Sequence, residues 1–305
     1  MPQNSSIQTN QFFDAGPRIV GGEDKVKLHY ATAGDSKKPL MILLHGFPEF
    51  WFAYEGVMPA LAEHFWVVAP DLRGFNLSDK PTEVESYKAA LIMADVMALA
   101  KHLERDTFVL VAHDWGGAIA WNLAIAQPQA ITKLIILNAP HLVPFAKALA
   151  WDKEQQLASE YMNWLRAPGS EIPLAENNFE RMMSFLGTSL PWFTGATKAA
   201  YIAAWSQPCA LTGGVNYYRA SPLYPPTVSD IGAQRLKLDP QKFTVTVPTK
   251  VIWGELDVAL GKVLLDGLEE VVPNLEIEHW PDATHWLIHE HPERCVKSIL
   301  AFAKP

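Results

Sequence analysis

Cysteine is almost absent from this chain. Only Cys209 and Cys295 occur among 305 residues, far apart and outside any C-x-x-C pair. That excludes a disulfide scaffold and leads us to expect two packed free thiols in a reducing compartment. The segment from Met1 to Asn10 is polar and lacks an apolar core, so no secretory signal is visible and a cytoplasmic setting is expected. No run approaches the roughly 18 uninterrupted apolar residues of a membrane span. Asn4-Ser5-Ser6 and Asn76-Leu77-Ser78 match the glycosylation pattern, which has no consequence without export. Positive charge is the scarcer sign: 25 Lys and Arg stand against 33 Asp and Glu, a net charge of −8. With no basic stripe, nucleic acid is not an expected partner. No H-E-x-x-H or similarly spaced ligand set is present, so no metal is expected, and the chemistry below requires no other cofactor. Internal repeats are lacking too. Monomer and homodimer both remain open.

What the chain does have is apolar surface to bury. It is 49% hydrophobic and long enough for one large α/β domain with an insertion. Val26 to Tyr30 alternates like an antiparallel edge strand. Apolar runs that read as buried strands follow at Leu40 to Leu44, Trp66 to Ala69 and Phe108 to Ala112, with a fourth strand at Ile131 to Leu137. Between them lie helical patterns, first Ile92, Val96, Leu99 and Leu103, then Gly117 to Ala126. Strands alternating with helices predict a mostly parallel, doubly wound sheet. From Leu142 to Asp239 the strand pattern stops. Helical stretches rich in aromatics take over, ending in prolines at Pro222, Pro225 and Pro226. Strands return at Thr249 to Trp253 and Glu276 to Trp280. We therefore expect a core from residues 1–141 and 240–305 with a helical lid over 142–239, placed where open α/β sheets bind ligands.

One turn carries the chemistry. Val109-Leu110-Val111-Ala112-His113-Asp114-Trp115-Gly116-Gly117-Ala118 reads as strand, sharp turn, helix, with small residues two positions either side of Asp114. That pattern resembles the nucleophile elbow of the α/β-hydrolase fold. A serine there would attack acyl carbons. A carboxylate suits displacement at a saturated carbon, since its alkyl ester can later be cleaved by water, whereas serine would form an inert ether. The fold orders its catalytic set as nucleophile, acid, histidine. Asp257, in Trp253-Gly254-Glu255-Leu256-Asp257, fits the acid. His285, in Asp282-Ala283-Thr284-His285-Trp286, fits the base that activates water. Asp282 and Asp266 are rival acids; His279, His289 and His291 are rival histidines, more readily explained as solvated or packed. The loop after the preceding strand, Asn138-Ala139-Pro140, offers no carboxylate. The fold's oxyanion donors map to the backbone N–H groups of Trp115 and of Phe47 in His45-Gly46-Phe47-Pro48.

Over nearly its whole length the sequence resembles the α/β-hydrolase-fold epoxide hydrolases of the soluble, bacterial type. The matching stretches are HGFPE (His45 to Glu49), PDLRG with SDKP (Pro70 to Gly74, Ser78 to Pro81), HDWGG (His113 to Gly117), WGELD (Trp253 to Asp257) and THW (Thr284 to Trp286). The resemblance implies a cis bond at Phe47-Pro48. It also implies two lid tyrosines that donate hydrogen bonds to the epoxide oxygen: Tyr218 in Asn216-Tyr217-Tyr218-Arg219, with Tyr217 as its neighbouring rival, and Tyr161 at the head of Tyr161-Met162-Asn163-Trp164. An apolar small-molecule epoxide would lie against Phe47, Pro48, Trp115, Trp164 and Trp286. Two other activities use an aspartate here. A haloalkane dehalogenase commonly places an asparagine in the loop that reads His45-Gly46-Phe47-Pro48. A haloacetate dehalogenase has an arginine where Trp115 stands. A catalytically silent binding protein that kept the fold is the reading from another class.

Overall fold

The computed structural model describes residues 6–187 and 191–304, so Asn4 of the first glycosylation pattern lies outside the described residues. Eight strands form one sheet: β1 (Gln8–Pro17), β2 (Lys25–Ala33), β3 (Leu40–Leu44), β4 (Trp66–Pro70), β5 (Phe108–His113), β6 (Ile131–Leu137), β7 (Thr249–Gly254) and β8 (Leu275–Trp280). Their order is β1-β2-β4-β3-β5-β6-β7-β8. The β1–β2 and β2–β4 pairs are antiparallel, and every later pair is parallel. Strands β3, β5 and β7 are buried at every residue, which is why Leu40 to Leu44 and Phe108 to Ala112 read as unbroken apolar runs.

The chain reverses its direction across the sheet at β3. The connection to β4, with α1 (Met58–Leu61), runs towards β1; those with α2 (Ala89–His102) and α3 (Asp114–Ala126) run towards β8. Right-handed crossovers then place α1 on one face and α2 and α3 on the other. α2 and α3 do pack together, and α11 (Pro292–Ala303) joins α1. The reversal leaves a crevice beyond the carboxyl ends of β3 and β5, where this class of sheet binds its ligands.

Between β6 and β7 the described residues form helices and no strand: α4 (Leu142–Trp151), α5 (Lys153–Ala158), α6 (Glu160–Arg166), α7 (Glu171–Leu186), α8 (Gly195–Trp205) and α9 (Ala210–Ala220). α7 is broken midway, where Asn177, Asn178 and Phe179 adopt left-handed angles. The short α10 (Leu287–Glu290) precedes α11. Among the described residues, no helix is long and apolar enough to cross a membrane.

Two expectations need correction. The segment around Val26 to Tyr30 is not the sheet edge: β1 lies outside it. Its sequence, Gln-Thr-Asn-Gln-Phe-Phe-Asp-Ala-Gly-Pro, hides the strand because only Phe13, Ala15 and Gly16 are buried. Cys209 is exposed at the N-cap of α9, with φ of 62°, rather than packed; Cys295 is buried. Cys209 leaves the helix-compatible backbone region there, and its side chain faces water.

Tertiary bonds, rather than apolar pattern, hold β1. The Gly16 N–H donates to Asp95 Oδ1 at 2.9 Å, and the Arg73 guanidinium donates to both Asp95 oxygens at 2.6 and 2.7 Å and to the Pro17 carbonyl at 3.2 Å. Arg73 and Asp95 are both buried. Removing one member of a buried ion pair leaves an uncompensated charge, at a cost of about 3–5 kcal/mol, whereas replacing both can be nearly neutral. We therefore expect Asp95→Ala to lower the unfolding free energy by about 3–5 kcal/mol in urea titrations and to increase hydrogen exchange at Gly16. An Arg73→Met, Asp95→Leu double variant should recover most of the loss. A single-variant cost below about 1 kcal/mol would mean the pair behaves as if it were solvated.

Candidate active site

Strand β5 ends at His113, and Asp114 follows with φ of 49°. A non-glycine residue in this region carries about 1–2 kcal/mol of strain, so its surroundings must hold it there. Two glycines make that possible. A Cβ on Gly116 would stand 2.4 Å from the Leu44 carbonyl oxygen, and one on Gly46 would stand 2.1 Å from Asp114 Oδ1. The loop leaving β3 can thus lie directly against the carboxylate, and the Phe47 N–H donates to Asp114 Oδ1 at 2.6 Å. The Phe47-Pro48 bond is cis. Trp115 is the second residue of α3, whose first amides lack partners within the helix.

Asp257 and His285 arrive from the loops after β7 and β8. Asp257 Oδ1 accepts from the amides of Ala259 (2.8 Å) and Leu260 (2.9 Å). Its Oδ2 accepts from His285 Nδ1 at 2.6 Å and from Asn138 Nδ2 at 2.8 Å. With its carboxylate so occupied, Asp257 fixes the proton on Nδ1 and leaves His285 Nε2 3.7 Å from Asp114 Oδ2. Burial alone would lower the pKa of His285. The Asp257 charge and hydrogen bond, then the charges of Asp114 and Glu49, reverse this and raise it to about 9. Burial would raise that of Asp257, but His285 and Asn138 hold it below its usual value.

Asp114 faces two adjoining chambers. One, of about 230 Å³, is walled by Phe47, Phe185, Asp257, His285 and Trp286. The other, of about 60 Å³, is walled by Trp115, Phe145 and Met162. Tyr161 and Tyr218 line both. They come from α6 and α9, which Arg166 ties together by donating to the carbonyls of Tyr218 and Ser221, each at 2.8 Å. Burial, then neighbouring charge including that of Asp114, pushes both phenols well above the usual tyrosine range, so they remain donors. Tyr217 points elsewhere: its hydroxyl donates to the Arg73 carbonyl at 2.9 Å.

The remaining expected residues divide. Phe47, Trp115 and Trp286 line the chambers. Pro48 and Trp164 do not. The Pro48 carbonyl accepts from Trp205 Nε1 at 2.7 Å, which turns its ring into the packed base of α8 and α9, and Trp164 is covered by the Arg181 guanidinium at 4.7 Å. Asp282 pairs with Arg294 at the surface, Asp266 is exposed, His279 bonds Glu255 and His291 lies 3.9 Å from Asp282. None of these rivals reaches Asp114. His289, by contrast, belongs to a buried cluster that the sequence reading passed over. Glu49 Oε1 accepts from Tyr201 and from His289 Nε2, both at 2.6 Å. Its Oε2 lies 3.3 Å from His113 Nδ1 without hydrogen-bond geometry. His113 Nε2 donates to the His285 carbonyl at 2.9 Å. The available signal was a lone carboxylate in the apolar run Phe47 to Tyr54. Asn138, which orients Asp257, was passed over for lacking charge. Among the described residues, no three His, Cys, Asp or Glu side chains group as a metal ion would require.

The model of the α/β hydrolase fold family matches residues 39–292. The chain belongs to that family. This member is 34% identical to the AB hydrolase superfamily protein YfhM of Bacillus subtilis, over 92% of its own length and 95% of the relative's. It is 32% identical to epoxide hydrolase 4 of Mus musculus, covering 92% of this chain and 77% of that one. Among solved structures, an inhibitor complex of Bacillus megaterium epoxide hydrolase superposes with a TM-score of 0.85 at 31% identity, covering 97% of this chain and all of the other.

The His285 shift has a sign that can be checked. A histidine raised from 6.5 to about 9 contributes stability that is fully present below pH 6.5 and is lost as pH rises through about 9. The amount is on the order of 3 kcal/mol. The unfolding free energy of the native protein should therefore fall over this interval relative to that of a His285→Gln variant, as measured by urea titration at stepped pH. Parallel curves would show that His285 is not held as a cation.

Proposed function

We propose that this family member hydrolyses epoxides to vicinal diols through a covalent ester on Asp114. The observation that carries the proposal is the meeting, in one cavity, of a carboxylate nucleophile, two buried phenol donors and a histidine already paired to an acid. The names of the relatives point the same way.

Tyr161 and Tyr218 donate hydrogen bonds to the ring oxygen. Asp114 Oδ2, the oxygen that does not hold the Phe47 amide, attacks a ring carbon. The carbon–oxygen ring bond breaks, its electron pair stays on oxygen, and that oxygen takes a proton from a tyrosine, later restored from water. Esterification removes the negative charge 3.7 Å from His285 Nε2. One of the influences that raised the imidazole pKa is then gone, and the ring becomes a competent base. His285 removes a proton from water, and the water oxygen attacks the ester carbonyl carbon. Charge develops on Oδ1, where the Phe47 N–H already sits, with the Trp115 N–H as second donor. The acyl carbon–oxygen bond breaks, its electron pair stays on the original Oδ2, which takes the proton from His285 as the diol leaves, and Asp114 retains an oxygen from water and releases its remaining proton to solvent. The substrate we propose is apolar and uncharged, and the setting is a reducing cytoplasm in which the exposed Cys209 thiol stays unpaired.

In a single turnover in heavy-oxygen water, mass spectrometry should find the label in Asp114 and none in the first diol. His285→Gln should accumulate the ester, and Asp114→Ala should abolish diol formation. Label in the first diol, or full activity of Asp114→Ala, would refute the ester route. Halide release from haloalkanes without diol formation from epoxides would favour a dehalogenase.

The phenols give a separate test. Removing one donor aimed at developing negative charge costs about 10²–10³ in rate. Tyr218→Phe and Tyr161→Phe should each slow the pre-steady-state alkylation of Asp114 by about that factor, with ester hydrolysis much less affected. Equal slowing of both steps would place the tyrosines in structure rather than in ring opening.

A further inference from the structure

The loop that carries Asp257 is held differently on its two sides. Before the acid the core grips it: the Glu255 N–H donates to the Trp280 carbonyl and the Leu256 N–H to that of Ala283, each at 2.9 Å. After the acid the chain runs through Val258, Ala259, Leu260 and Gly261, which belong to no strand or helix. Val258 is 90% exposed, so packing does not cover this stretch from outside. Yet the amides of Ala259 and Leu260 supply the two hydrogen bonds that Asp257 Oδ1 accepts. Among the described residues, the hydrogen bonds that reach the backbone of 258–261 from beyond residues 257–265 all come from one side chain, Gln155 of the lid helix α5.

Gln155 is 2% exposed. Its Oε1 accepts from the Gly261 N–H at 2.9 Å, and its Nε2 donates to the Ala259 carbonyl at 2.7 Å and to Ser159 Oγ at 2.8 Å. Its own backbone N–H donates to Asp152, the N-cap of α5, at 2.7 Å. The loop presents a carbonyl at Ala259 and an N–H at Gly261, and a primary amide answers both at once. A glutamate would set a negative charge against the carbonyl. An apolar side chain would leave both loop groups buried without partners. Were the position one of packing alone, leucine or methionine would fill it without the desolvation cost of an amide.

We propose that Gln155 is a positioning residue: through the peptide groups of Ala259 and Gly261 it holds the loop so that the Ala259 and Leu260 amides stay on Asp257, and Asp257 stays on His285 Nδ1. The lid thus serves the hydrolytic half of the reaction from α5, as it serves ring opening from α6 and α9. The inference rests on the epoxide chemistry proposed above and adds what sets the acid in place. In that chemistry Asp257 is called on when His285 takes a proton from water, so loss of Gln155 falls on ester hydrolysis rather than on attack by Asp114.

Gln155→Met keeps the side-chain length and removes all three hydrogen bonds of the amide. With styrene oxide in single-turnover experiments it should slow ester hydrolysis by roughly 10- to 100-fold, as a small misplacement of a catalytic group does, and leave alkylation of Asp114 nearly unchanged. In the steady state kcat and KM should fall together as the ester accumulates, whereas a partly unfolded preparation lowers kcat alone. Gly261→Ala is the gentler variant: φ there is −71°, which alanine adopts freely, and the new Cβ would lie 3.3 Å from Gln155 Oε1. It should move the same quantities in the same direction by a smaller factor, and it carries the test alone if the methionine variant does not fold. Proton NMR reads the loop without substrate: the downfield Nδ1–H resonance of His285, identified by its absence from His285→Gln, should move upfield and broaden in Gln155→Met. That change in a protein that opens no epoxide would sustain the positioning role and overturn the epoxide reading. Epoxide turnover with hydrolysis and the resonance unmoved in both variants would overturn the role and leave the chemistry standing. Equal slowing of alkylation and hydrolysis would make Gln155 a general support of the lid and overturn the role as well.

Discussion

A carboxylate held in a left-handed turn between a buried strand and a helix constrains the rest of this molecule. Asp114 occupies backbone space that ordinary residues avoid, and only close approach by two neighbouring segments keeps it there. Gly46 and Gly116 are the residues that allow that approach, because any Cβ would collide with the carboxylate or with the carbonyls of Leu44 and His45. Sheet order then places the loops correctly. β3 and β5 are neighbours, so the chain leaving one meets the turn leaving the other, and the reversal of winding at β3 opens the space above them.

Electrostatics settles how the surrounding groups behave. Three carboxylates, those of Asp114, Asp257 and Glu49, act on His285 in a site largely closed to water. Each would resist ionisation if buried alone. Together they favour a cation at His285 while the nucleophile is charged, and favour it less once that charge is consumed. In the mechanism proposed above, that change in charge balance would favour His285 as a base once Asp114 has reacted. Asn138 contributes by filling with a neutral amide the space beside Asp257, which keeps the acid on a single histidine.

Much of this was legible in the sequence, and the division has a physical basis. The elbow, the pairing of Asp257 with His285 and the Phe47 loop rest on short stretches at strand ends, where chemistry and local backbone geometry coincide. Tyr218 was separable from Tyr217 only by family likeness, since neighbouring residues on a helix point in different directions that composition does not reveal. The edge strand β1 was missed because long-range bonds through Arg73 and Asp95 hold it in place of an apolar stripe. The Glu49 cluster joins residues up to 240 positions apart, and no local pattern announces it. Pro48 and Trp164 were expected to line the cavity, and packing turned both away.

The inserted helices are fastened to the core unevenly. On one side, α8 grips the loop that carries the Phe47 amide, through Tyr201 to Glu49 and Trp205 to the Pro48 carbonyl. On the other, Leu142, Ser221 and Leu223 line the smaller chamber beside Asp114. Variation near α8 bears on the loop of Phe47, while variation at Leu142 and Leu223 bears first on the shape of the cavity. Drift in preference for new compounds can accumulate on that second flank, so a single scaffold can diversify its diet without first losing its trade.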